Sequence, residues 1–312
     1  MKDLSQGNLI VSNFFDDSIS IVDPVQGKEL RRIYLHQKDK AHPPERLGPH
    51  HIAIDRRLKN LFVPNTYHSS LEIIDLLTGK AKEVISVGSF PSQVIICKKY
   101  NYAYVANSDS NSVSVINMDT LSVALQIPTG ELPHGMVMTT DEERIFVANQ
   151  GARTITEIIT STNEKKKCHI VNGNPWHLKL SYDGNYLYAV HYSHLYDRKG
   201  KIYIYSIKEM ELLRTLHIGK MPVEVVGDKT NETLYISDSD MNSLHIYSLK
   251  NDTMEDSINL SKMPHGVEIN HEKNEIYVTG LHDNILHVID IGKKALVKSI
   301  PVGQEPTSIV IL

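Results

Sequence analysis

Apolar and polar positions alternate along this chain in short runs, as in "SVSVIN", "SLEIID" and "ILHVID", each about five or six residues long. Strict alternation over that length is the signature of a strand with one buried face, and Asn, Asp, Gly and Ser separate the runs where turns are needed. A second kind of run is more continuously apolar: "NLFVPN", "YAYVAN", "RIFVAN", "YLYAVH", "TLYISD" and "EIYVTG". No stretch shows a helical 3.6-residue period of useful length. The pattern predicts an all-β protein.

The runs recur. Aligned on proline, the chain reads "PHHIAI" from Pro49, "PSQVII" from Pro91, "PHGMVM" from Pro133 and "PWHLKL" from Pro175, then "PVEVVG" from Pro222, "PHGVEI" from Pro264 and "PTSIVI" from Pro306. The spacings are 42, 42, 42, 47, 42 and 42 residues, and each unit holds four strand-like runs. A four-stranded sheet of that size cannot bury both faces alone, but sheets stacked radially can, which predicts a β-propeller. The chain stops after a first strand, "PTSIVIL", and begins with a second, third and fourth, "NLIVSN", "SISIVD" and "KELRRIY". The C-terminal strand is therefore expected to complete the N-terminal blade. The expectation is one seven-bladed propeller spanning 1–312, closed so that no sheet edge is left open.

"FVAN", "YVAN" and "YVTG", each preceded by a proline turn and followed by a "SVSVIN"-type strand, resemble the YVTN-repeat (YncE-like) seven-bladed propellers over the whole chain. The resemblance implies the fold; that family includes surface and binding proteins and many of undefined role, so it implies no activity.

Composition narrows the partners. A net charge of -4 gives no electrostatic reason to expect nucleic acid or an anionic membrane. No apolar run approaches a membrane span, and "MKDLSQGNLIVSN" has no basic-then-apolar leader, so a cytoplasmic protein is expected. Cys97 and Cys168 sit at different depths of different repeats, and no bridge is expected between them. A ring without a free edge makes a monomer the default.

Departures from the 42-residue pattern fall in two places. Gly27 to Pro49 spans 22 residues where Gly79 to Pro91 spans 12, which puts ten extra residues in "HQKDKAHPPERLG". His191 to Ser206 spans 15 where Asn107 to Asn117 spans 10, which puts five more in "HYSHLYDRKG". One is a fourth-to-first-strand connection and the other a second-to-third-strand loop. In a propeller both emerge on the same rim, the top, and loops on a rigid scaffold carry function.

The compositional oddity is 16 histidines. One residue past the proline the blades carry His50, Ser92, His134, Trp176, Val223, His265 and Thr307; two past it they carry His51, Gln93, Gly135, His177, Glu224, Gly266 and Ser308. All of these enter the innermost strand near the axis. His50, His134 and His265 are nearly evenly spaced around the ring, so three imidazoles are placed to converge on one ion, with His51 and His177 as a second set. Strand alternation sends neighbouring residues to opposite sides, so only one of the two sets is expected to face the axis. Imidazole without cysteine suits a divalent transition metal such as zinc, copper or iron. The alternative is that each ring simply binds a neighbouring blade's backbone.

The expected metal set is therefore His50, His51, His134, His177 and His265, with Glu224 as carboxylate ligand or general base and His191 as a second catalytic group. Tyr67, Arg153, Trp176, Tyr192, His194, Tyr196 and His282 are expected to wall a substrate pocket, with His68 on a neighbouring loop. Three readings follow. The first is a metal-dependent oxidoreductase or lyase acting on a small molecule or peptide over the channel. The second is a non-catalytic propeller gripping a peptide, glycan or protein on its top face. The third is a lactonase-like hydrolase, disfavoured because the oxygen ligands of a calcium-type site are sparse.

Overall fold

The computed structural model describes residues 5–35, 46–57, 59–191, 199–260 and 262–312. The strands form seven four-stranded antiparallel sheets, and within each the chain runs outward from the proline-led strand. Blade one comprises Ala53–Asp55, Asn60–Asn65, Ser70–Asp75 and Lys80–Ser86; blade two begins at Pro91–Cys97, three at Pro133–Met138, four at Pro175–Leu180, five at Pro222–Gly227 and six at Pro264–Asn270. Blade seven is built from both ends: Pro306–Ile311 pairs with Leu9–Asn13, followed by Ser18–Asp23 and Lys28–Tyr34. Hydrogen bonds from Gly7 N–H to Leu312 O (2.9 Å) and from Leu312 N–H to Asn8 O (2.8 Å) lock the closure. The all-β seven-bladed expectation holds, including the shared blade.

The burial pattern explains the two kinds of run. Second strands such as Tyr102–Asn107 are covered on both faces by adjacent blades, and five of their six residues are buried; this is why they read as continuous apolar sequence. Outermost strands such as Ser122–Pro128 are exposed almost throughout. Seven apolar clusters fill the spaces between blades, each drawing on two neighbouring sheets, as Tyr104 and Val113 of blade two meet Met136 and Val147 of blade three.

The terminal residue of the second strand carries the repeat signature for a physical reason. Asn107 Nδ2 donates to Ser112 Oγ (3.2 Å) and Ser114 Oγ (3.0 Å), and Asn13 and Asn149 make the same pair of bonds to Ser18 and Ser20 and to Thr154 and Thr156. The amide thus ties the top of the second strand to the third. The fourth-to-first connection crosses directly over it, and a Cβ at Gly88 would lie 2.7 Å from Asn107 Cβ. The acid that closes the third strand is equally local: Asp75 Oδ1 accepts the N–H groups of Leu77 and Thr78, both at 2.9 Å, in an Asx turn.

Cys97 is buried and Cys168 exposed, and both are free thiols. Among the described residues no helix is long and apolar enough to cross a membrane. Most of the two predicted insertions, 36–48 and 191–200, lies outside the described residues, and with it Tyr192, His194 and Tyr196.

Replacing Asn107 with Ala removes two buried hydrogen bonds and should lower stability by about 2 kcal/mol. Urea unfolding of the variant checks this; a loss within error of zero would show that the amide is not a structural tie.

Candidate functional site

The geometry of the pore begins with a backbone irregularity. In blades two to six the register between the inner strand and its partner slips just after the proline: at Pro91/Gln93, Pro133/Met136, Pro175/His177, Pro222/Val225 and Pro264/Val267. A β-bulge inserts an extra residue and re-aims side chains. Blade one reaches the same end differently. Its chain leaves its own sheet before Ala53, and His51 N–H donates to Ser92 O (3.1 Å) while His51 O accepts from Val94 N–H (3.2 Å), forming a parallel bridge to Gln93 of blade two. The expectation that only one set faces the axis is therefore corrected. Side chains from both positions gather there, because the bulges suspend strand alternation.

They form two tiers. His50, His134, Trp176 and His265, one residue past the proline, fill the mouth on the top side. Ring centroids are 5.3 Å apart for His50–His134, 5.6 Å for His134–Trp176 and 6.2 Å for Trp176–His265. Beneath them lie His51 and His177, with rings 4.8 Å apart; His51 is 4.6 Å from His50, and His177 is 4.9 Å from His134. His51, His177 and Glu224, with Gln93 and Ser308, line a cavity of about 320 Å³ that continues down the pore. The "PHG" glycines let the inner strands come this close. A Cβ at Gly135 would sit 2.5 Å from Trp176 O, and one at Gly266 would sit 2.4 Å from Thr307 O.

Two upper histidines are satisfied by backbone, as the structural alternative required: His50 Nδ1 donates to Ser92 O (2.8 Å) and His265 Nδ1 to Thr307 O (3.1 Å). The remaining three are not. His134 Nδ1, His51 Nε2 and His177 Nε2 are buried without a hydrogen-bond partner. Buried polar atoms are normally paired, so three orphaned ring nitrogens in one pore ask for an explanation.

The ligand set differs from the expected triad of His50, His134 and His265. The groups within ligating reach of one another are His51, His177 and Glu224, whose donor atoms all lie within 4.8 Å. His51 Nδ1 is 3.4 Å and His177 Nδ1 is 3.5 Å from the same carboxylate oxygen, Glu224 Oε1. Donors bound tetrahedrally at about 2.0–2.2 Å from zinc are separated by roughly 3.4 Å along an edge, which is the spacing of both nitrogen–oxygen pairs. Glu224 Oε2 accepts the Val267 N–H at 2.9 Å, which fixes the carboxylate and leaves Oε1 facing the imidazoles.

Gln93 occupies the equivalent position of blade two, and it is the internal comparison. Its Oε1 accepts the Met136 N–H (2.7 Å) and its Nε2 donates to Met136 O (3.1 Å), so the amide satisfies a bulge in the next blade completely. Glu224 performs half of that task. The chain carries an acid, where an amide serves the fold better, at the one such position lying against two imidazoles.

The electrostatics follow from burial. Desolvation, aided by mutual repulsion, holds His51, His134 and His177 well below their ordinary range. Burial brings His50 and His265 down to about 4, against the opposing backbone bonds. Burial pushes the Glu224 carboxyl up to about 7, with Lys179 and the Val267 N–H opposing. The rings are therefore neutral at neutral pH, the form that ligates metal.

The other expected site residues among those described lie away from the pore. His191 ends the second strand of blade four, where its Nδ1 accepts the Asn174 N–H (2.8 Å); it does for that turn what Asp238 does in blade five by accepting from Lys220 (2.6 Å). In this structure its ring nitrogen caps a turn, away from the residues that line the axial cavity. Tyr67 packs on Phe14, Phe90 and the Arg46 guanidinium on the top face. Arg153 is an exposed turn residue whose carbonyl accepts the Val171 N–H. His282 is exposed beside a shallow depression with Phe15 and Asn284, and His68 Nδ1 is 3.2 Å from Ser70 Oγ. Lys179 and Glu268, four residues past their prolines, line the pore below Glu224 and form an ion pair at 3.3 Å. Sequence reading missed them, although their shared register was visible in the alignment.

A family model described as a YNCE-like beta-propeller matches residues 98–255. No curated protein matches the chain. Among solved structures, Kuenenia stuttgartiensis hydrazine synthase is similar at a TM-score of 0.77 and 18% identity, covering 88% of this chain and 92% of that one. A protein of unknown function from Desulfotomaculum acetoxidans DSM 771 aligns at a TM-score of 0.79 and 14% identity, over 98% of each chain. A protein from Bacteroides uniformis ATCC 8492, named provisionally as a 6-phosphogluconolactonase, aligns at 0.77 and 14%, over 99% of this chain and 100% of that one. At these identities the likeness shows the fold alone.

Glu224→Gln should stabilise chelator-treated protein. The folded carboxyl titrates near 7 against an ordinary 4.5, so stability falls as pH rises from 4.5 through 7. The amide removes that loss, giving a gain on the order of 1–3 kcal/mol at pH 8 that shrinks toward pH 5. Chemical denaturation at both pH values checks it; a destabilised variant, or a gain equal at both, would contradict this account of Glu224.

Proposed function

The chain belongs to the YncE-like β-propeller family, and we propose that it is a metal-dependent enzyme whose pore holds one divalent transition ion on His51, His177 and Glu224. The observation that carries this reading is the pair of imidazole nitrogens at 3.4 and 3.5 Å from one carboxylate oxygen whose partner oxygen is pinned. Two histidines and one glutamate form a catalytic type of zinc set, which leaves a coordination position open, whereas structural sites are closed by four protein ligands. An ion so held supplies Lewis-acid activation of a bound oxygen.

The rest falls to the chain's own residues. Glu224 serves as ligand, so it is not also the general base. His134, with a buried unpaired Nδ1 and its ring 4.9 Å from that of His177, is the group placed to hold or pass a proton. Trp176, His50 and His265 cover the site from above and keep the local dielectric low, which strengthens every charge interaction beneath them. A lactonase-like reading gains little from the pore, because Glu224 and Glu268 are the carboxylates among its lining residues and a calcium-type site takes about six to eight oxygen ligands.

Elemental analysis of protein grown in supplemented medium should find one zinc, copper or iron per chain. His51→Ala/His177→Ala and Glu224→Gln should each lower retained metal at least tenfold, with thermal melting showing that both variants fold. Wild-type protein that holds no stoichiometric metal would leave a non-catalytic binding propeller as the reading.

A further inference from the structure

Access to the pore is asymmetric. On the top side the described residues at the mouth are the four packed rings of His50, His134, Trp176 and His265. On the opposite face the axial cavity adjoins a wide basin formed by the first-to-second-strand hairpins, and Glu268 lines both. The basin is bounded by Arg56, Lys229, Lys273, Tyr182, His271 and Glu272. The basin thus carries three permanent cations and the carboxylates of Glu272 and Glu268, the latter already paired with Lys179. At the throat, Lys179 and Glu268 meet through a single contact of 3.3 Å, and their side chains are 39% and 28% exposed to the channel.

An excess of one sign of charge around a concave site concentrates ligands of the other sign. Lys179 is a flexible point charge with three donors, only one of which Glu268 can take at a time. We propose that the substrate is a small oxyanion, bearing a carboxylate or phosphate group, that enters from this basin and is anchored by Lys179, displacing Glu268, below the metal site. The proposal rests on the metal-site reading for what happens next to the anion, but the anchoring stands on the throat and basin alone. A cavity of about 320 Å³ sets the scale of the ligand, at the lower end of small-molecule sites. Glu268 acts as a stand-in anion, neutralising Lys179 until the ligand arrives and restricting entry to groups that compete with a carboxylate.

Calorimetric titration of the full chain with inorganic phosphate and with malonate tests this, on zinc-loaded and on chelator-treated protein. Lys179→Met should weaken the preferred anion about tenfold. Glu268→Gln, which frees the ammonium, should tighten it severalfold, and the electroneutral Lys179→Met/Glu268→Gln pair should follow Lys179→Met while melting like wild type. Lys229→Glu/Lys273→Glu at the rim should slow association, most of all at low salt. Whichever of the two probes binds more tightly identifies the oxyanion class. Lys179-dependent binding in protein that takes up no zinc would sustain the anchor and remove the metal reading. Zinc-loaded protein in which Lys179→Met leaves both affinities unchanged, or Glu268→Gln weakens them, would overturn the proposal.

Discussion

Everything in the pore depends on one backbone constraint, the β-bulge that follows the proline of each inner strand. A regular strand would aim alternate residues at the axis and the rest into the blade. The slipped register lets blade four send both Trp176 and His177 toward the axis, and in blade one the bridge from His51 to Gln93 does the same for His50 and His51. Two tiers of imidazoles within 4.6 to 6.3 Å of one another are the consequence. The bulge also leaves an N–H in the next blade to be satisfied, at Met136 and Val267, and this need holds Gln93 and Glu224 in place.

The contrast between Gln93 and Glu224 separates fold from function inside a single molecule. Both answer the same structural demand in equivalent blades. The amide answers it in full, whereas the acid answers half, gains a protonation equilibrium near neutrality and directs its free oxygen at two imidazoles. Burial keeps those imidazoles neutral, with Nδ1 of each toward Glu224 Oε1 and Nε2 of each unpaired in the pore. Local conflicts of this kind, where stability is lost and chemistry gained, tend to mark functional sites.

How much of this could be read beforehand follows from where the information lies. Strand number, blade count, ring closure and the free cysteines depend on periodicity and spacing, which a sequence displays directly. That the histidines past the prolines enter near the axis was equally visible, since equivalent positions in a closed ring converge, but that both sets, His50, His134 and His265 with His51 and His177, meet there was not visible. Which of them share a ligand sphere was not, because alternation forbids what a bulge allows, and the bulge leaves no residue signature of its own. Glu224 is expected from the sequence as a carboxylate ligand or general base, but its tie to Val267 and the two imidazoles it faces depend on neighbouring blades. His191 stands where other blades have asparagine, and this marked it as chemistry; its ring nitrogen in fact caps a turn. Lys179 and Glu268 face each other across the pore from blades four and six, 89 residues apart, a pairing that only the curvature of the ring makes close. The elaborated rim drew attention to the top face, while Lys179 and Glu268 line the pore below Glu224, toward the other.

The measurement that bears most directly on the account is anomalous X-ray diffraction from crystals of the full chain equilibrated with zinc, with data collected on both sides of the zinc absorption edge. One anomalous peak is expected on the pore axis, about 2.0–2.2 Å from a ring nitrogen of His51, a ring nitrogen of His177 and Oε1 of Glu224. A pore without such a peak, or one in which His51 and His177 hydrogen-bond Glu224 around an ordered water, would contradict it.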